Sequence, residues 1–226
     1  MALQDRFRGK ISPRIGRIVV RAQRGFSLLE LMLTLSIVLI MSGVTFLSLQ
    51  PALKQARVTS VYDTTLMILR NSRQQAIAQR TRYIVTFNAP GTITVQTWGY
   101  AVPVSPAPVL VQTVNLPLDV QFAVQAGMPT TAATVPDGFG SGGTAIDFDQ
   151  GVGLGSQNFV MFMPDGTSQD TQGNFYGGGN FNSGVLYLGR PGELGSMRAL
   201  TVFGTTGRIR GWALVKQAGV WTWVQQ

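Results

Sequence analysis

Residues 26–49 contain a single charge, Glu30, in an otherwise apolar or small run. A helix crossing the hydrocarbon of a bilayer needs about 20 mostly apolar residues. A buried helix of a water-soluble domain seldom runs this far without a polar face, so the segment is a transmembrane candidate on length alone. The pattern changes at Pro51. Beyond it Leu53, Ala56, Val61, Thr65, Ile68, Ser72 and Ala76 recur at spacings of three to five, while Lys54, Arg57, Arg70, Arg73 and Arg80 take other faces. That is an amphipathic stripe suited to packing on a sheet. One long helix over 26–82 is expected, kinked at Pro51, because proline lacks a backbone donor and its ring crowds the preceding turn.

After residue 82 the period shortens to two. Residues 83–87 and 92–98 flank Asn88-Ala89-Pro90-Gly91 and read as a hairpin. Further strands are expected at 110–114, 120–124, 144–148, 158–163, 185–188, 199–203, 209–216 and 220–224. The proline-rich 101–109, the Gly-, Pro- and Thr-rich 126–141, and 169–183 with Gly177-Gly178-Gly179 read as loops. Pro164-Asp165-Gly166-Thr167 is a turn by its chemistry. One N-terminal helix followed by many strands predicts an α+β domain, the helix packed against antiparallel sheet. The expected organisation is a basic segment 1–25, the long helix 26–82 with 26–49 transmembrane, and a β-rich domain 83–226.

Charge supplies the orientation. Residues 1–25 hold Arg6, Arg8, Lys10, Arg14, Arg17, Arg21 and Arg24 against Asp5, a net of +6 within a chain total of +8. Positive flanks stay cytoplasmic, so the N-terminus should lie inside and the β-rich domain outside. The remaining +2 makes the overall charge a poor indicator of nucleic-acid binding by that domain. There is no cysteine and no histidine. Disulfides, thiolate or histidine-ligated zinc, and histidine-dependent triads are thereby excluded. An enzyme would have to work from carboxylates, lysine or tyrosine, and no catalytic constellation of these is recognisable. Neither catalysis nor a cofactor is expected. A cleaved secretory signal would have a shorter apolar core, of about 7–15 residues, followed by a small-residue site, and no such site follows here.

The stretch Arg24-Gly25-Phe26-Ser27-Leu28-Leu29-Glu30 after a basic tail resembles the N-terminus of type IV prepilins and type II secretion pseudopilins. The resemblance implies a pilin-like fold, cleavage between Gly25 and Phe26 by a prepilin peptidase, and methylation of the new Phe26 amine. It implies that the helix is retained and that Glu30 pairs with the N-terminal amine of a neighbouring subunit during assembly. On the residues alone, the alternative reading is that Glu30 snorkels to the interface, since a carboxylate in a membrane helix costs up to about 2.5–3.5 kcal/mol, less near an end. The implied partners are other pilins or pseudopilins, the peptidase and an inner-membrane assembly platform. The implied location is the inner membrane, single-pass with the N-terminus cytoplasmic and the domain periplasmic, then a pilus or pseudopilus.

Three later pieces resemble the GspH/FimT group of minor pilins and pseudopilins. They are Ser72-Arg73-Gln74-Gln75-Ala76 running on to the strand 83–87, Phe162-Met163-Pro164-Asp165-Gly166-Thr167, and Arg198-Ala199-Leu200-Thr201-Val202-Phe203 followed by Gly207-Arg208-Ile209-Arg210. In FimT-like minor pilins a matching Gly-Arg-x-Arg is linked to DNA capture. Arg208 and Arg210 lie two apart, so on a strand they share a face and can straddle adjacent phosphates. Trp212, able to stack on a base or ribose, and Lys216 share it as well. The other readings are a solvated strand face with Trp212 packing across strands, or a face turned to a neighbouring subunit. Asp147-Phe148-Asp149-Gln150-Gly151 has the look of a calcium-loop fragment but lacks the third acid and the distal glutamate, and a solvated strand end is the simpler reading. The function expected is that of a minor pilin or pseudopilin, a structural subunit, the alternative being a DNA-binding minor pilin.

Overall fold

The computed structural model describes residues 25–99, 107–140, 143–148, 156–171 and 180–226, in two compact units, 1–48 and 49–226. A single helix, α1 (Leu28–Gln79), continues through Pro51 rather than ending there, although proline removes one rung of the hydrogen-bond ladder. In the first unit the described residues are exposed throughout, and α1 is long and apolar enough to cross a membrane. Four hydroxyls on this stretch turn back to the preceding turn. Thr34 donates to the Leu31 carbonyl at 3.0 Å, Ser36 to Met32 at 2.8 Å, Ser42 to Val38 at 2.7 Å and Thr45 to Met41 at 2.8 Å.

In the second unit the helix buries Val58, Val61, Tyr62, Thr65, Ile68, Leu69, Ser72 and Ala76. These are the lower part of the expected stripe plus its neighbours, whereas Leu53 and Ala56 stay exposed. The helix ends sooner than 82: Arg80 takes a left-handed conformation, φ 52°, and the Thr81 amide closes onto the Ala76 carbonyl at 3.2 Å, a C-terminal stop.

The strands are β1 (Arg82–Asn88), β2 (Thr92–Trp98), β3 (Val109–Asn115), β4 (Gln121–Phe122), β5 (Ile146–Phe148), β6 (Phe159–Phe162), β7 (Ser168–Gln169), β8 (Gly184–Gly189), β9 (Arg198–Phe203), β10 (Arg208–Gln217) and β11 (Val220–Gln225). They form two sheets, ordered β3-β2-β1-β6-β7 and β11-β10-β9-β8-β4, with β5 also paired to β8. Every pairing is antiparallel. The α+β class is therefore the observed one, with two sheets against the helix rather than one. Period-two alternation marks a strand but not its neighbour, so the division was not legible in advance.

Alternation explains how the layers close. Tyr83, Val85 and Phe87 of β1 join the helix stripe in the main core, as do Leu186 and Leu188 of β8 and Leu200 and Val202 of β9. The intervening Val185, Tyr187 and Ala199 face a second cluster with Met128, Met197, Leu214 and Trp223 on the far side of the second sheet. Strand β8 is consequently buried along its whole length, as a strand covered on both faces must be.

Candidate functional site

The N-terminal group is exposed throughout. Gly25, Phe26 and Ser27 precede the first helical turn, and the Ser27 carbonyl accepts the Leu31 amide at 3.0 Å. Phe26 is 76% exposed. A side chain at Gly25 would meet nothing within 4 Å, so nothing in the fold demands glycine there. Glu30 sits in the first turn of α1, where a negative charge is favoured by the unpaired amides of the helix end. Among the described residues it has no ion-pair partner.

Strand β10 carries the second group. Arg208, Arg210 and Trp212 do share a face, and the guanidiniums of Arg208 and Arg210 lie 5.3 and 5.1 Å from the Phe203 ring. That face is half covered. The short helical turn Pro136–Gly138 holds Asp137 at φ 53°, with its side chain only 5% exposed, against Arg210. Arg210 donates to one Asp137 oxygen, Thr201 donates to the other at 2.5 Å, and the Trp212 indole donates to Thr201 Oγ1 at 3.2 Å. Trp212 also packs on the second cluster, to which Leu214 of the same face belongs. Lys216 remains exposed, 6.0 Å over the Trp221 ring. Of the four β10 candidates, then, Arg208 and Lys216 are open to solvent, while Arg210 and Trp212 are tied into the domain.

The Asp137 contact yields a stability prediction. Asp137→Ala leaves Arg210 and Thr201 without their acceptor and should cost about 2–4 kcal/mol. Arg210→Ala should cost a similar amount, and the double variant less than the sum of the two. Melting midpoints of the four proteins measure this, and strictly additive losses would contradict a direct pair.

Arg208 belongs to another grouping as well. With Arg70, Arg73 and Gln74 of α1 and Thr206 and Ile209 of the β9–β10 hairpin it lines an open groove of about 480 Å³. Arg73 fastens the hairpin to the helix, donating from Nε to the Gly166 carbonyl at 3.0 Å and from Nη2 to the Thr206 carbonyl at 2.9 Å. Gly207 is required by this closure: its φ is +59°, and a Cβ there would lie 2.0 Å from the Gly166 oxygen. The groove's helical residues were not singled out from the sequence. The spacing of Arg70 and Arg73, which puts both on one side of the helix, was the available signal. Asp137 had only the turn chemistry of Pro136-Asp137-Gly138.

Asp147, 9% exposed on β5, lies opposite Val185. Burial, and secondarily the Asp147 charge, pushes the neighbouring Tyr187 hydroxyl well above the usual phenol range. Asp149, Gln150 and Gly151 lie outside the described residues. Among the described residues no three His, Cys, Asp or Glu side chains gather as a metal site would need.

Residues 20–46 match the prokaryotic N-terminal methylation motif. The chain carries that motif. It brackets Gly25, Phe26 and Glu30 and ends within the exposed apolar part of α1. No curated protein matches the chain. Among solved structures, the type IV minor pilin FimU of Pseudomonas aeruginosa is similar at a TM-score of 0.37 and 11% identity, over 71% of this chain and 89% of that one.

Proposed function

We propose that the chain is a minor pilin or pseudopilin, a structural subunit of a type IV pilus or a type II secretion pseudopilus. The observation that carries this reading is the methylation motif heading an apolar helix exposed from its first turn to beyond residue 49. A helix with that surface must be covered by lipid or by other helices. In this reading a prepilin peptidase removes residues 1–25 and methylates Phe26. The helix then anchors the subunit in the inner membrane, with the β-rich domain on the periplasmic side, until an assembly platform packs it among other subunits. Because the fold leaves room at Gly25, the glycine is explained by recognition from outside, that is, by the peptidase.

The test is to express the full chain beside a prepilin peptidase and read its N-terminus by mass spectrometry. The wild type should begin at N-methylated Phe26. Gly25→Leu should remain unprocessed and longer by the 25 leader residues. Normal processing of the variant would remove the peptidase from the account.

A second reading is favoured by one observation, the exposed Arg208 of Gly207-Arg208-Ile209-Arg210 set in a groove with two helix arginines. In that reading the subunit also binds DNA, as a minor pilin serving DNA uptake.

A further inference from the structure

We propose that, if the subunit binds DNA, the backbone phosphate sits in the groove between α1 and the β9–β10 hairpin, held by Arg70, Gln74 and Arg208. The Arg208–Arg210 pair on β10 is not the contact surface. The proposal rests on the DNA-binding reading and identifies the residues that would perform it.

The first reason is the state of Arg210. Its guanidinium is neutralised by Asp137, whose carboxylate is 5% exposed and is also held by Thr201 at 2.5 Å. A phosphate drawing Arg210 away would leave that carboxylate buried without its cation, a penalty of the order that breaking any buried pair incurs. Arg210 is therefore not free to follow a ligand. Arg208 has no such partner: among the described residues it makes no ion pair, and it is exposed.

The second reason is the composition of the groove. Three guanidiniums from two separate elements line it, and no carboxylate does. Such a surface favours an oxyanion, because each arginine offers several donors in a planar fork that fits phosphate oxygens. Arg73 keeps its charge in place while fastening the hairpin to the helix, so Arg70 and Arg208 are presented from two elements held together rather than from one mobile loop. Gln74 and Thr206 add neutral donors, and Ile209 supplies an apolar wall. That mixture suits a phosphodiester with its sugar better than a bare ion.

The experiment uses the full chain in detergent, with fluorescence anisotropy of a labelled DNA duplex across a salt series. The variants are Arg70→Glu, Arg208→Glu and Lys216→Glu, which change charge equally, alongside Arg70→Gln and Arg208→Gln as milder versions. Arg70→Glu and Arg208→Glu should each weaken binding about tenfold or more and lower the salt slope by about one or more. The glutamine variants should show smaller losses in the same order, and Lys216→Glu should leave affinity within about twofold. Loss at Arg208 and Lys216 with none at Arg70 would return the site to the β10 face and overturn the proposal. Equal loss for all three reversals would mean diffuse charge attraction without a site, and would overturn it too. A wild type that shows no salt-dependent binding would remove the DNA reading itself, and the groove assignment with it.

Discussion

Gly211→Ala should destabilise the β-rich unit by more than about 3 kcal/mol, well above the usual cost of one added methyl in a core. Gly211 lies in the middle of β10, opposite Leu200 of β9. A Cβ built there would fall 1.6 Å from the Tyr62 hydroxyl oxygen and 2.7 Å from its Cζ. Tyr62 cannot swing away, because it is 7% exposed and sits in the main core with Val58 and Leu69 on the buried stripe of α1. Its hydroxyl is already desolvated, and burial followed by the Asp63 charge raises its pKa. The strand and the helix touch here through a glycine backbone on one side and an aromatic ring on the other. Tyr62→Phe takes away the nearest atom of the clash but leaves the ring edge, so it should recover only part of the loss. Denaturant unfolding of the two single variants and the double variant, followed by tryptophan fluorescence, should give a coupling of at least about 1 kcal/mol. A Gly211→Ala protein that unfolds with the wild type would show that helix and strand stand further apart than described.

Glu30→Val should leave membrane insertion intact and reduce incorporation into fibres by about a hundredfold. Removing the carboxylate makes the apolar segment more hydrophobic, so insertion is if anything easier. In the proposed assembly, what is lost is a charge for the amine of Phe26 on an adjacent subunit. Inside a bundle of apolar helices an unpaired ammonium costs on the order of 3 kcal/mol, about two decades in an association constant. Glu30→Gln keeps the shape and one acceptor and should fall between the two. The readout is the ratio of protein in sheared fibres to protein in the membrane fraction. An unchanged ratio for Glu30→Val would leave the carboxylate with no part in assembly.

What could be read ahead of the structure followed from periodicity. The long α1, the hairpin of β1 and β2, and strands β8 to β11 all carry strong patterns; the strand limits fall within one residue of those expected and those of the helix within three. Shorter elements failed for lack of pattern. Ser168–Gln169 is a strand of two residues in what reads as a loop, and the run 120–124 shrinks to Gln121–Phe122. The N-terminal residues Gly25, Phe26 and Glu30 lie within the matched motif at residues 20–46, a local pattern that needs no tertiary contact to be read. The β10 residues were legible only as far as their shared face. That Arg210 meets Asp137, 73 positions earlier in sequence, is a tertiary fact, and the loop supplying Asp137 has no periodicity to betray it. Likewise Arg70 and Arg208 line one groove through tertiary packing, with Arg73 bonded to the Thr206 carbonyl of the hairpin.

The four back-bonded hydroxyls of the first unit bear on how such a subunit travels. Thr34, Ser36, Ser42 and Thr45 each have an acceptor within their own helix. None needs water, a lipid headgroup or a neighbouring chain to satisfy its donor. An extraction from bilayer to fibre would therefore break none of these donated hydrogen bonds, and the surrounding change would be mainly one set of dispersion contacts for another. Glu30, the one charge in residues 26–49, would register the change of surroundings most strongly, so a single carboxylate would act as the segment's sensor of whether it is among lipids or among subunits.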